Sequence, residues 1–115
     1  MKYMMMIFQT DADFTARTNE KRETYMGAWR AYHQALVDAG VYVGGNELQP
    51  PSTGTTVRLK GGKRHVQDGP YADSKEQLGG YFILELPSLD VALDWAARCP
   101  SAATGAVEVR PVLAN

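Results

Sequence analysis

Two segments that are apolar on both faces constrain the fold most strongly. Residues 3–9 and 80–86 carry apolar side chains at both odd and even positions. Successive side chains of a strand point to opposite faces, so each segment needs cover on both sides. This pattern predicts two strands inside a sheet that is covered on both faces.

Two helices are predicted to supply part of that cover. The first begins after Asn19 as N-cap and runs to about Ala39, where Gly40 suits the left-handed position that ends a helix. The second follows Ser88 as N-cap and runs to about Arg98. The apolar stripe of the first helix is Tyr25, Met26, Trp29, Tyr32, Leu36 and Val37. The residues expected to face inward from the second are Leu89, Ala92, Leu93 and Ala96.

Shorter segments complete the predicted elements. Residues 41–43 open a strand in which the glycines 44–45 indicate a bulge or a close backbone approach. Residues 74–78 are predicted to form one helical turn, and residues 106–112 the last strand.

A β-hairpin is predicted at residues 55–60 and 63–68, around a two-glycine turn. In this register Val57 faces Val66, and Asp68 shares their apolar face. His65 falls on the opposite, basic face, which we interpret as solvent-exposed.

The resulting order is β-α-β, an inserted hairpin, then β-α-β, in a single domain over residues 1–115. We therefore predict an α+β protein of the ferredoxin-like split βαβ type. Two helices cover only one face of its four-stranded sheet. The other face requires a second copy of the chain, which predicts a homodimer that forms an α+β barrel.

Composition excludes several classes of protein. Twelve basic and thirteen acidic residues give a net charge of −1, so nucleic-acid binding is not expected. The single cysteine, Cys99, excludes a disulfide scaffold, and the two histidines show no metal-ligand spacing. No cofactor motif is present, and we predict none. No apolar run is long enough for a signal peptide or a membrane span, so a cytoplasmic protein without membrane contact is expected.

A nine-residue motif follows the hairpin. It reads Asp68-Gly69-Pro70-Tyr71-Ala72-Asp73-Ser74-Lys75-Glu76. It resembles the signature of the DGPFAETKE proteins, a branch of the YCII-related family, with Tyr71, Asp73 and Ser74 in place of Phe, Glu and Thr. Residues 78–81, 92–97 and 107–112 are also similar to that family.

The resemblance implies a dimeric α+β barrel with a cleft near the motif. It also implies acid–base chemistry by a histidine–aspartate pair, as proposed for the wider family. A sigma factor of the extracytoplasmic-function class is an implied partner, because some members are encoded with, or fused to, such factors.

Asp68 and His33 are the candidate catalytic residues. An apolar hairpin face would desolvate Asp68 and raise its pKa into the range that suits a general acid or base. In the alternative, an Asx-turn, its side chain would accept hydrogen bonds from backbone amides. His33 lies at the edge of the apolar stripe. It is either a base beside a pocket or a residue packed at the edge of the core.

The candidate substrate-binding residues fall in two groups. Lys75 and Glu76 could hold an anionic substrate or form a surface ion pair, and Tyr71 belongs to the same motif. Glu108 and Arg110 share one strand face and could bind a carboxylate ligand or each other.

Two functions remain open. The first is a cofactor-free enzyme for elimination, isomerisation or hydrolysis of a small anionic or carbonyl compound. The second is a non-catalytic module that binds a ligand or a sigma factor.

Overall fold

The computed structural model describes residues 1–114, so residue 115 of the predicted domain lies outside the described residues. The described chain is an α+β fold whose strands are β1 (Lys2–Gln9), β2 (Tyr42–Glu47), β3 (Thr55–Lys60), β4 (Lys63–Asp68), β5 (Gln77–Glu85) and β6 (Ala106–Pro111). Its helices are α1 (Asp11–Ala16), α2 (Arg22–Asp38), α3 (Leu89–Arg98) and α4 (Ser101–Thr104). None of the helices in residues 1–114 is long and apolar enough to cross a membrane.

Four strands form the main sheet, in the order β2-β5-β1-β6, with antiparallel pairing throughout. The two doubly apolar segments predicted from the sequence become its central strands, β1 and β5. The prediction that both segments form strands is confirmed, and the structure places them in the middle of the sheet.

The core lies between one sheet face and the helices. Tyr3, Met5 and Ile7 of β1 are buried on this face, against Tyr32 and Leu36 of α2. The small side chains of α3 on the same core are Ala92 and Ala96. Small residues allow the helix to approach the sheet closely, and burial of the large apolar side chains drives the packing.

The opposite sheet face is open in a single chain. Met4, Met6 and Phe8 of β1 point to it and are only partly buried. Register places Ile83 and Arg110 beside Met4 on this face. The face that the sequence assigns to a second copy is therefore apolar at its centre and carries no cover from residues 1–114.

The hairpin forms a separate two-stranded sheet with the predicted register. Val57 pairs with Val66, and Thr55 pairs with Asp68. Gly61 and Gly62 both adopt positive φ, as a two-glycine turn requires. Every residue of β4 is exposed, so the expected apolar shielding of Asp68 is wrong for the single chain.

Several local predictions are corrected. Residues 74–78 form bends and the start of β5 rather than a helical turn. Asn19 does not cap α2; its side chain accepts a hydrogen bond from the Lys21 amide in the turn before the helix. Of the four residues predicted to face inward from α3, Ala92 and Ala96 are buried as predicted, whereas Leu89 and Leu93 are each 48% exposed.

Other local predictions are confirmed. Ser88 caps α3 by accepting a hydrogen bond from the Val91 amide. Gly40 has φ of 72° at the end of α2. Gly45 lies where a Cβ would come within 2.5 Å of the Tyr81 carbonyl oxygen, so the predicted close backbone approach in β2 is real.

Candidate active site

A cleft of about 470 Å³ opens between α2 and the β2–β5 side of the sheet. Its lining comes from β1, the α1–α2 turn, α2, β2 and β5. Residues between positions 25 and 34 of α2 form its roof. The buried residues of that helix, Tyr32 and Leu36, lie in its second half.

Aromatic side chains form the walls of this cleft. The rings of Trp29 and Phe82 lie 6.3 Å apart, and those of Tyr42 and Phe82 lie 6.1 Å apart. Aromatic faces of this kind suit a flat, weakly polar ligand.

Three cleft residues stand one helical turn apart on α2. Tyr25, Trp29 and His33 are spaced by four residues and therefore share one face of the helix. His33 is at the exposed rim, with its imidazole edge-on to the Tyr42 ring at a centroid distance of 4.7 Å. Of the two positions that the sequence left open for His33, the structure places it beside a pocket.

Arg17 occupies the closed end of the cleft, with its side chain only 11% exposed. Its terminal nitrogens donate hydrogen bonds to the carbonyl oxygens of Leu48 at 2.5 Å and Gly79 at 3.1 Å. Its Nε lies 3.0 Å from Oε1 of Glu47, which is half-exposed. The guanidinium thus joins the α1–α2 turn to β2 and β5.

Gln9 links Arg17 to Tyr25. Its Oε1 accepts a hydrogen bond of 2.9 Å from Arg17, and its Nε2 donates to the Tyr25 hydroxyl. A Cβ on Gly79 would lie 1.8 Å from the same Oε1, so this position needs glycine for the side chain of Gln9 to fit. Burial raises the pKa of Tyr25 above its ordinary value, so its phenol is neutral at pH 7.

A short helix that was not predicted positions Arg17. Thr10 and Asp13 form a capping box, in which Thr10 Oγ1 accepts from the Asp13 amide and the Asp13 carboxylate accepts from the Thr10 amide. The same carboxylate accepts a hydrogen bond from Thr104 and so ties α1 to α4. Arg17 follows directly as the C-cap of α1.

Asp68 lies outside this cleft. It is exposed at the end of β4, and within residues 1–114 its carboxylate accepts no hydrogen bond, including the predicted Asx-turn bond. A single chain therefore does not bring Asp68 to His33.

The motif residues that follow also lie outside the cleft. Tyr71 is 71% exposed beneath the guanidinium of Arg58, with 4.8 Å between that carbon and the ring centroid. Lys75 is exposed and Glu76 partly buried. The Gln77 side chain holds this loop by donating to the carbonyl oxygens of Ala72 and Ser74.

Glu108 and Arg110 pair with each other at 2.5 Å on the open sheet face. Both are exposed in the single chain and lie outside the cleft. Of the predicted site residues, only His33 lines the cleft. No group of three or more metal-ligating side chains occurs within residues 1–114.

The residues that sequence reasoning missed are those of the closed end. The sequence pattern places Tyr25 and Trp29 on the apolar stripe, and their four-residue spacing to His33 is the signal that marks a shared functional face. Arg17 and Gln9 gave no comparable signal, because their contacts run between elements distant in the chain.

Comparisons with known proteins agree with this fold. The structure of 5-chloro-2-hydroxyhydroquinone dehydrochlorinase from Burkholderia phenoliruptrix AC1100, in complex with 2,5-dihydroxybenzoquinone, aligns with a TM-score of 0.57 at 16% identity. The alignment covers 100% of this chain and 96% of that one. An uncharacterised protein of Rhizobium meliloti (strain 1021) is 34% identical over 114 residues, covering 97% of this chain and 92% of the relative. The model of the YCII-related domain matches residues 1–114, and the chain therefore belongs to the YCII-related family.

Proposed function

We propose that this protein is a cofactor-free acid–base enzyme whose substrate is a small anionic or carbonyl compound bound in the α2 cleft. The observation that carries the proposal is the position of His33 at the rim of an aromatic cavity. An imidazole can accept a proton at one ring nitrogen and return it, and a cleft of about 470 Å³ accommodates a molecule of one or two rings.

Charge supports an anionic substrate. Arg17 and Arg30 line the cleft against one carboxylate, that of Glu47. The excess of positive charge favours a ligand with a carboxylate, phenolate or enolate oxygen. The structural neighbour supports the same class, because it is a dehydrochlorinase bound to a small oxygenated ring.

His33 is proposed as the group that removes or returns a proton. Its ring packs edge-on against Tyr42, which fixes the imidazole plane while the exposed edge remains open to the cleft. Elimination and isomerisation both need such a group within reach of an acidic C–H or O–H bond.

We further propose the ferredoxin-like arrangement and a dimeric barrel. The strand order β2-β5-β1-β6 and the apolar, uncovered face around Met4 and Met6 support it. A second copy on this face would enclose the Glu108–Arg110 pair. Asp68 keeps a catalytic role in this proposal only through that second copy, since it lies outside the cleft of its own chain. The same holds for ligand binding by Tyr71, Lys75 and Glu76.

The two histidines provide a matched test. His33 lines the cleft, whereas His65 is exposed on the hairpin. Small carboxylates, phenols and hydroxyquinones are screened by thermal shift, and each hit is followed for turnover by NMR. We expect turnover that His33→Ala abolishes and His65→Ala leaves unchanged. Equal turnover in both variants would disprove the role of His33.

An interaction module is the second candidate, because the hairpin exposes an apolar stripe. Val57, Val66 and Leu59 are 57%, 55% and 73% exposed on one face. Such a stripe is typical of a protein contact surface. The test is co-elution with a purified extracytoplasmic-function sigma factor, compared with the variant Leu59→Asp. Co-elution that this variant abolishes would favour the module.

A further inference from the structure

The closed end of the cleft contains hydrogen-bond donors without acceptors. A guanidinium has five N–H bonds, and those of Arg17 used within residues 1–114 reach Leu48, Gly79 and Gln9. Its Nε is buried and has no aligned acceptor there, although Glu47 lies within ion-pair distance. A buried N–H without an aligned acceptor is costly, so a ligand oxygen that displaces the Glu47 carboxylate and aligns with this N–H would be stabilising.

The hydroxyl of Tyr25 offers a second donor at the same place. Because Arg17 donates to Oε1 of Gln9, the amide must present its Nε2 to Tyr25, and the phenol oxygen accepts that bond. The hydroxyl hydrogen then points away from Gln9. Tyr25 is partly exposed and lines the cleft, so this hydrogen is free to bond a ligand.

We propose that Arg17 and Tyr25 form a subsite for an oxygen anion of the ligand, with Gln9 as the residue that positions both. The subsite deepens the proposed function and rests on it, since it names the chemistry of the substrate at the end of the cleft opposite His33. A carboxylate is the best fit, because a guanidinium edge and a neutral hydroxyl together satisfy its two oxygens.

The helix sets the size of the ligand. Tyr25 and His33 are eight residues apart, about 12 Å along α2 at 1.5 Å per residue, with Trp29 halfway. Both side chains line the cleft, so a ligand that contacts both extends along this axis. The ligand class is therefore a planar ring that carries an oxyanion at one end and a hydroxyl or carbonyl at the opposite end, against His33.

Glu47 competes for the subsite. Its carboxylate sits at the Nε of Arg17 and is half-exposed, so it can move into solvent when an anion binds. We expect Glu47→Gln to strengthen the binding of anionic ligands severalfold, since a like charge is removed.

The test measures binding by calorimetry with 4-hydroxybenzoate as the probe. Two analogues isolate its features: 4-hydroxybenzamide lacks the charge, and trans-4-hydroxycyclohexanecarboxylate lacks the flat ring. We expect 4-hydroxybenzoate to bind at least about tenfold more tightly than either analogue. Equal affinity for the amide, or no binding of 4-hydroxybenzoate at millimolar concentration, would overturn the subsite.

Two conservative variants, each of which keeps the aromatic ring, locate the probe. Tyr25→Phe removes only the hydroxyl and should weaken binding about tenfold. Tyr32→Phe is the matched control on the same helix, outside the cleft, and should leave affinity unchanged. If the two variants bind equally well, the subsite is wrong. A different result would disprove the proposed function: no compound in the wider screen is turned over in a reaction that depends on His33.

Discussion

The hydroxyl of Tyr32 donates a hydrogen bond of 2.8 Å to the carbonyl oxygen of Trp95 and joins α2 to α3 above the sheet. Tyr32 is 5% exposed, and its ring also packs edge-on against Trp29 at 6.3 Å. Tyr32 therefore connects the core, helix α3 and the aromatic wall of the cleft.

Removal of that hydroxyl should destabilise the fold moderately. Tyr32→Phe keeps the ring but leaves the Trp95 carbonyl without this donor, at a cost of about 1–2 kcal/mol in the free energy of unfolding. Urea denaturation measures the change. Tyr71→Phe, in an exposed tyrosine, should cost less than about 0.5 kcal/mol. Similar costs for both would show that the interhelical bond contributes nothing.

Gly79→Ala should disturb both stability and the closed end of the cleft. The new Cβ would collide with Oε1 of Gln9, and displacement of that side chain costs about 1–3 kcal/mol. Gly44→Ala is the control, since its Cβ would meet no atom within 4 Å. Thermal unfolding compares the two. A loss no greater in Gly79→Ala than in Gly44→Ala would contradict the tight fit.

Stability should fall at alkaline pH because of Cys99. Burial raises the pKa of its thiol from 9.0 to about 11, while a backbone hydrogen bond with Ser101 opposes this effect. The folded state thus holds a proton that the unfolded state loses above pH 9, and the stabilisation disappears as pH rises toward 11. The total is about 2–3 kcal/mol. Melting temperatures measured from pH 8 to 10.5 should decline less steeply in Cys99→Ala, and parallel curves would refute the assignment.

We expect the open sheet face to form a dimer interface, and we expect a single charge introduced there to disrupt it. The wild-type protein should have the mass of two chains in light scattering at micromolar concentration. Met6→Glu should yield single chains, because it places a carboxylate beside Glu108 on that face. Leu93→Glu, on the exposed side of α3, should remain dimeric. A wild-type monomer would disprove the dimer.

The spacing of apolar residues predicted most of the fold, because this spacing determines which side chains of a strand or helix are buried. The doubly apolar strands, the hairpin register around Val57 and Val66, and the cap at Ser88 all depend on residues close together in the sequence. The inward face of α3 was predicted only in part: Ala92 and Ala96 are buried, but Leu89 and Leu93, which continue the same apolar spacing, are half-exposed.

The site was less predictable because it joins distant parts of the chain. His33 could be nominated from its place on an amphipathic helix. The bonds of Arg17 to Gly79 and Leu48 cross 62 and 31 residues, and they require a short helix whose capping box ends in Asp13 rather than the usual Glu or Gln. Asp68 is predicted from the apolar hairpin face that it shares with Val57 and Val66, and this face is exposed in the single chain.

The roof of the cleft has an energetic consequence. Residues 22–31 of α2 include no fully buried side chain, whereas Tyr32 and Leu36 anchor the second half. Local opening of the first half therefore costs less free energy than opening of the second, and its amides should exchange with deuterium first. A molecule held between Tyr25 and the sheet would replace the missing anchor. Ligand binding should therefore slow deuterium exchange most in the first half of α2, the half with the least protection of its own.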